Sequence, residues 1–169
     1  MGFMGSGKST VGQALAENLG WQHIDTDNMI EELFQMDIPT VFKTYGESTF
    51  REAEVQVLVE VIESENTIIS TGGGLPCSDK AIEIINQYSN SYYLYIRASQ
   101  LSERLWKEEL RSTRPLLQSL DSQDELTEFI KAKILARERY YYDSSGIIDA
   151  TQSVDTVAED IIRLAHPAS

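Results

Sequence analysis

Gly2-Phe3-Met4-Gly5-Ser6-Gly7-Lys8-Ser9 carries the spacing G-x-x-x-x-G-K-S, and the chemistry this spacing serves is the gripping of a polyphosphate. The glycines let successive backbone N–H groups turn inward around phosphate oxygens, and the N-terminus of the helix behind them adds partial positive charge. Lys8 can reach the outer phosphates and the Ser9 hydroxyl can ligand Mg²⁺, so the segment marks a nucleoside triphosphate site. Thr10 then falls inside the helix that Val11, Leu15 and Leu19 continue at helical spacing.

Two carboxylates follow in Ile24-Asp25-Thr26-Asp27, at the end of a short apolar stretch. If the strand continues, alternation points both the same way, toward the phosphates. One can then hold the waters of a Ser9-bound Mg²⁺ while the other accepts a proton or hydrogen bond from an attacking hydroxyl. The other reading makes Asp27 the cap of a helix from Asn28 and Asp25 a turn residue, and the two can coexist. Gly72-Gly73-Gly74 closes another apolar strand and offers backbone N–H groups to a closely approaching ligand, or is a flexible turn. Arg51, Arg114 and Arg137 lie near element boundaries or on helices that could share a cleft, although a solvated surface is the default reading of each. Cys77 has no nearby His to activate it and reads as a small neutral wall residue.

The elements that must position these residues alternate from end to end. Helical periods are expected over 28–36, 40–45, 49–63, 79–88, 99–110 and 126–142, with a last helix capped by Ser153; strands are expected at 21–25, 67–70, 92–96 and 146–149. This is an α/β pattern with a parallel sheet between helical layers, and ligands gather at the carboxyl ends of such strands. A phosphate loop hangs from the end of a buried strand, yet only Met1 precedes Gly2. The expectation is therefore a five-stranded sheet whose first strand lies upstream of Met1. Residues 111–123, polar, irregular and basic at their start, suit an active-site loop or a plain surface loop.

With 169 residues, 41% of them hydrophobic and 24% charged, the chain is expected to form one domain. Its formal charge of −13 repels polyanions and argues against nucleic acid or an anionic membrane as partner. The longest uncharged apolar runs, such as Tyr92–Ile96, are strand-sized, and a single cysteine agrees with a reducing compartment, so a cytoplasmic location is expected. No exposed apolar helix face stands out, which favours a monomer.

Taken together, Gly2–Thr10, Asp25-Thr26-Asp27, Gly46-Glu47-x-x-Phe50-Arg51, Ser70-Thr71-Gly72-Gly73-Gly74 and Arg114-Pro115-Leu116-Leu117 resemble the shikimate kinases in order and spacing. The resemblance implies a P-loop kinase fold resembling the nucleoside monophosphate kinases, spanning residues 1–169, and transfer of the ATP γ-phosphoryl group to the 3-hydroxyl of shikimate on the route to chorismate. It implies that Gly5, Ser6, Gly7, Lys8, Ser9 and Thr10 hold ATP, that Ser9 binds Mg²⁺, and that Asp25 binds that metal through water. Asp27 is then the acceptor-binding carboxylate and proton acceptor, Arg51 and Arg137 grip the shikimate carboxylate, and Gly73 contributes backbone. Arg114 belongs to a lid over 111–123 and meets the transferring phosphate, while Gln152 lies on the adenine side. The chain departs from the family pattern in its lid approach 106–111, which leaves Arg104 and Lys107 without an assigned adenine role, and at Arg139, which competes with Arg137 as the carboxylate ligand. Gluconate or a nucleoside monophosphate as acceptor, and a nucleotide-binding module without turnover, are the competing readings.

Overall fold

A computed structural model describes residues 1–107 and 120–166. Among them the order is α1 (Lys8–Leu19), β1 (Gln22–Asp25), α2 (Thr26–Phe34), α3 (Ile38–Val61), β2 (Thr67–Ser70), α4 (Asp79–Tyr88), β3 (Tyr92–Tyr95), α5 (Ala98–Leu105), α6 (Gln123–Tyr142), β4 (Gly146–Asp149) and α7 (Val154–Ala165). The helix starts follow local chemistry. Ser78, Ser122 and Ser153 each accept a backbone N–H three residues on, and Asp37 does the same for Thr40 ahead of α3. Gly20 stops α1 in the left-handed conformation.

The strands form two parallel pairs. Gln22 to Asp25 lie opposite Thr67 to Ser70, and Tyr92 to Tyr95 lie opposite Gly146 to Asp149. Between β2 and β3, among the described residues, lies Met1, whose nitrogen donates to Tyr92 O at 2.7 Å and whose carbonyl accepts from Leu94 N at 2.9 Å. That places Met1 in parallel register opposite Tyr93. Beyond it lies a cavity of about 340 Å³, lined from both pairs by Thr67, Ile69, Tyr92 and Leu94 among others. The four described strands are thus two halves with a slot between them.

Successive residues of β2 pack into different clusters, Ile68 into one and Ile69 into another, so helices cover both faces. The larger cluster gathers Val11 and Leu15 of α1, Leu101 and Leu105 of α5, Ile130 of α6 and Val157 and Ile161 of α7 around Leu94 and Ile148. The second joins Leu58 of α3 to Ile82's neighbours Ala81 and Ile85 on α4, and a third joins Ile30 of α2 to Val41, Phe50 and Val57 of α3. No described helix is long and apolar enough to cross a membrane.

Four boundaries differ from the sequence reading. α2 begins at Thr26 rather than Asn28, because Asp25 and not Asp27 is the cap: its carboxylate accepts the Asp27 N–H at 3.0 Å. The two helices expected on either side of Gly46 run on as α3 through a kink, where Gly46 has φ 81° and ψ 172°. α5 ends at Leu105, five residues before the expected Leu110, while α6 starts at Gln123, inside the stretch read as a loop. Most of that stretch, including Arg114, lies outside the described residues.

The β1–β2 pair is tied to α1 beneath the phosphate loop. Ser70 at the end of β2 donates to the Lys8 carbonyl at 3.0 Å and meets His23 Nε2 at 2.9 Å. Both side chains fill the space beside Gly12, where a Cβ would lie 2.6 Å from His23 Nε2 and closer still to Ser70 Oγ. Gly12→Ala is expected to destabilise the fold by about 1–3 kcal/mol, read as a lower melting temperature in circular dichroism; an unchanged melt would remove this tie from the account.

Candidate active site

The loop before α1 has the conformation its glycines permit. Gly5 and Gly7 sit at φ 81° and 88°, a region that side chains disfavour, and Leu105 of α5 closes on Gly5 from behind. Lys8 Nζ folds back to the Phe3 carbonyl at 3.1 Å, and Ser6 Oγ is buried and has no hydrogen-bond partner among the described residues. Ser9 Oγ donates to Asp25 Oδ2 at 2.5 Å. A hydroxyl and a carboxylate side by side at the loop fit a hard divalent cation that keeps several waters and takes further oxygens from phosphate. Among the described residues no group of three or more His, Cys, Asp or Glu forms a separate metal cage. Thr10 is exposed on α1.

Asp25 therefore has two attachments, to Ser9 and to the first turn of α2. That turn swings Asp27 off the strand and toward the glycine turn after β2, a result that strand alternation does not give. Asp27 is largely buried, and its carboxyl is pushed above its ordinary value of 3.8 by burial first and by Asp25 and Glu31, while Lys8 and Arg51 oppose the shift. Between the two aspartates, fully buried Thr26 accepts the Gly72 N–H at 2.9 Å. Sequence reasoning passed over Thr26; its position between two candidate carboxylates, directly after an apolar strand, was the available signal.

Two of the three glycines stand where charged groups need the room. A Cβ at Gly72 would lie 3.2 Å from Asp27 Cγ and overlap its carboxylate, and one at Gly74 would lie 3.2 Å from Arg51 Cζ and overlap the guanidinium. Arg51 donates to Glu54 at 2.6 Å and to Glu47 at 3.1 Å. Glu54 is only 3% exposed, and burial raises its pKa against the pull of Arg51. Arg137 of α6 donates to the Gly73 carbonyl at 3.2 Å and lies over Phe3, 5.7 Å from the ring centroid. A cavity of about 670 Å³ opens here, lined by Glu47, Arg51, Glu54, Gly74, Cys77 and Arg137.

Arg139, by contrast, is exposed and pairs with Asp79 at 3.2 Å and with its neighbour Tyr140, so the structure brings Arg137 and not Arg139 to the cavity. Cys77 is half-buried, donates weakly to the Gly73 carbonyl at 3.6 Å, and has its thiol pushed up by burial, which suits a wall and not a nucleophile. Gln152 is exposed and reaches Asp160 at 3.4 Å, and Arg104 donates to the Ala150 carbonyl at 3.3 Å. Arg114 falls outside the described residues. Another residue missed from the sequence is Tyr141, fully buried, whose hydroxyl donates to the Gly73 carbonyl at 2.6 Å.

A phosphate loop beside a cavity lined by Arg51 and Arg137, with Asp27 against the adjoining glycine turn, is the site of a P-loop kinase. The model of the family described as shikimate kinase matches residues 4–166, and this chain belongs to the shikimate kinase family. It is 39% identical over 150 residues to the shikimate kinase of Parabacteroides distasonis, covering 89% of this chain and 85% of that one. The crystal structure of shikimate kinase from Bacteroides thetaiotaomicron superposes with a TM-score of 0.90 at 34% identity, over 98% of this chain and 95% of that one. Shikimate kinase from Acinetobacter baumannii in complex with shikimate gives 0.82 at 31% identity, over 97% and 89%. A gluconokinase from Sinorhizobium meliloti, at 18% identity and TM-score 0.58 over 98% and 89%, shares the fold alone.

The raised pKa of Asp27 sets a pH signature. Its ionised form, the one able to accept a hydroxyl hydrogen bond, is lost as pH falls through a value above 3.8, and stability from this group moves the other way, decreasing as pH rises through the same value. Because Glu31 is one cause of the shift, Glu31→Gln is expected to move the acid limb of kcat/KM to lower pH; an acid limb that stays in place would show that Asp27 does not govern it.

Proposed function

We propose that the chain transfers the γ-phosphoryl group of ATP to the 3-hydroxyl of shikimate, the step that leads toward chorismate and the aromatic amino acids. The observation that carries this reading is the pair Arg51 and Arg137 lining the cavity of the glycine turn, with Asp27 against Gly72 and within electrostatic reach of Lys8 and Arg51. A planar carboxylate suits the guanidinium fork, and its capture there turns the acceptor's hydroxyls toward Asp27. Asp27 orients the attacking hydroxyl and takes its proton; in a loose transition state its larger contribution is alignment. The backbone of Gly5 to Thr10 and the Lys8 ammonium hold the β- and γ-phosphates, and Gly73 supplies backbone to the acceptor. Mg²⁺, held by Ser9 and through water by Asp25, neutralises phosphate charge when bound. Arg114 and Gln152 belong to the nucleotide side in the same reading, with Arg114 meeting the transferring phosphoryl group.

The decisive assay follows ADP release with Mg²⁺-ATP and shikimate, gluconate or a nucleoside monophosphate, with the product identified by phosphorus NMR. Shikimate-dependent release is expected; turnover of gluconate alone would overturn the acceptor assignment. Lys8→Ala is expected to reduce kcat by about 100-fold or more, and Arg51→Ala to raise the shikimate KM by about 10- to 100-fold with the ATP KM nearly unchanged. Full activity in the first, or an unaltered shikimate KM in the second, would remove the respective role.

In this reading residues 1–169 are one monomeric, cytoplasmic kinase domain, testable by a single cooperative melt and by light scattering. Its sheet has five parallel strands, the central one seated in the slot that Met1 enters between β2 and β3. Open facing edges there leave ladder groups without a strand partner. A five-residue apolar strand joined ahead of Met1 is expected to raise the melting temperature by about 5 °C or more; an unchanged or lower value would count against the fifth strand.

A further inference from the structure

We propose that Tyr141 is a positioning residue for the acceptor site, acting through the Gly73 carbonyl; this rests on the kinase reading above and adds a residue to it. Three donors converge on that one oxygen: Tyr141 Oη at 2.6 Å, Arg137 Nη1 at 3.2 Å and Cys77 Sγ at 3.6 Å. A carbonyl has two lone pairs, and the shortest of the three bonds comes from the tyrosine. Its ring is fully buried and stacked on Tyr93 of β3, with centroids 4.8 Å apart and planes 24° from parallel. The sheet therefore fixes where the hydroxyl points. Burial, the main cause, drives its pKa up, so the group remains a donor through the physiological range.

The turn is thus held from two sides, by Tyr141 on α6 and by Thr26 on α2, which accepts the Gly72 N–H at 2.9 Å. What it carries between them are the backbone atoms that abut Asp27 and Arg51. Without the Tyr141 hydroxyl, the Gly73 carbonyl is left chiefly to Arg137. That arginine must divide its donors between this oxygen and the carboxylate of the acceptor. The hydroxyl frees Arg137 for the acceptor and keeps the turn from shifting against Asp27 and Arg51. The phosphate loop has its own attachments, the Ser6 N–H on the Phe3 carbonyl at 3.2 Å and Ser9 on Asp25, so the effect falls on the acceptor side.

The test compares steady-state kinetics of the wild-type chain, Tyr141→Phe, Arg137→Lys and the double variant, with Tyr140→Phe as control. Tyr140 is the neighbouring hydroxyl, turned outward to Arg139. Tyr141→Phe is expected to raise the shikimate KM about tenfold with the ATP KM within about twofold of wild type. In the double variant the two effects are expected to multiply to much less than their product, because both act at the Gly73 oxygen. Tyr140→Phe leaves both KM values in place. The proposal is overturned if Tyr141→Phe leaves the shikimate KM unchanged, if both KM values rise together as in general loosening of the fold, or if the two effects multiply fully. Should Tyr141→Phe not fold, a Thr26→Val variant with an unchanged shikimate KM overturns the claim that a clamped turn sets acceptor binding. Absence of shikimate turnover in the wild-type chain removes the kinase reading itself, and the inference with it.

Discussion

Everything at the acceptor end of this molecule depends on two side chains that are not there. Where Gly72 and Gly74 would carry a Cβ, the Asp27 carboxylate and the Arg51 guanidinium stand, and beside Gly73 lies Arg137. The turn after β2 is therefore less a flexible connection than a space kept open for charge. It brings residues from α2, α3 and α6 to one spot at the carboxyl end of the sheet, the edge where ligands gather in α/β folds. Without that space Asp27 and Arg51 could not stand against the same turn.

Gathering charge in a partly dry cleft has an electrostatic cost, and the arrangement shows how it is contained. Glu54 is buried but bonded to Arg51 at 2.6 Å, and Asp27 is countered by Lys8 and Arg51. Burial still outweighs these partners and leaves both carboxyls above their ordinary values. Such a cluster is poised for an anionic, hydroxyl-bearing ligand: it has the guanidinium forks of Arg51 and Arg137 and a carboxylate able to accept. Against the net charge of −13 over the chain, the cavity lining is balanced, with Arg51, Lys80 and Arg137 offsetting Glu47, Glu52 and Glu54.

Much of this was legible in the residues. The phosphate loop declares itself by spacing alone, and the helical stripes of α1, α6 and α7 located the elements that support it. Period and spacing could not say which arginine turns inward. Arg137 and Arg139 lie on the same helix two positions apart, and only the packing of α6 against the glycine turn separates them. Nor could alternation foresee that Asp25 would end its strand by capping α2 and thereby redirect Asp27. Thr26 and Tyr141 escaped notice for a common reason: each acts on backbone atoms of a segment 46 and 68 residues away, and nothing in the local sequence marks such partners.

The measurement that tests the central claim most directly is shikimate binding and turnover by Gly72→Ala, checked for an intact melt. If the glycine turn is the space in which Asp27 meets the acceptor, the added methyl displaces that carboxylate, the shikimate KM rises at least about tenfold, and the ATP KM holds. A folded Gly72→Ala chain with wild-type shikimate KM and kcat would contradict the account.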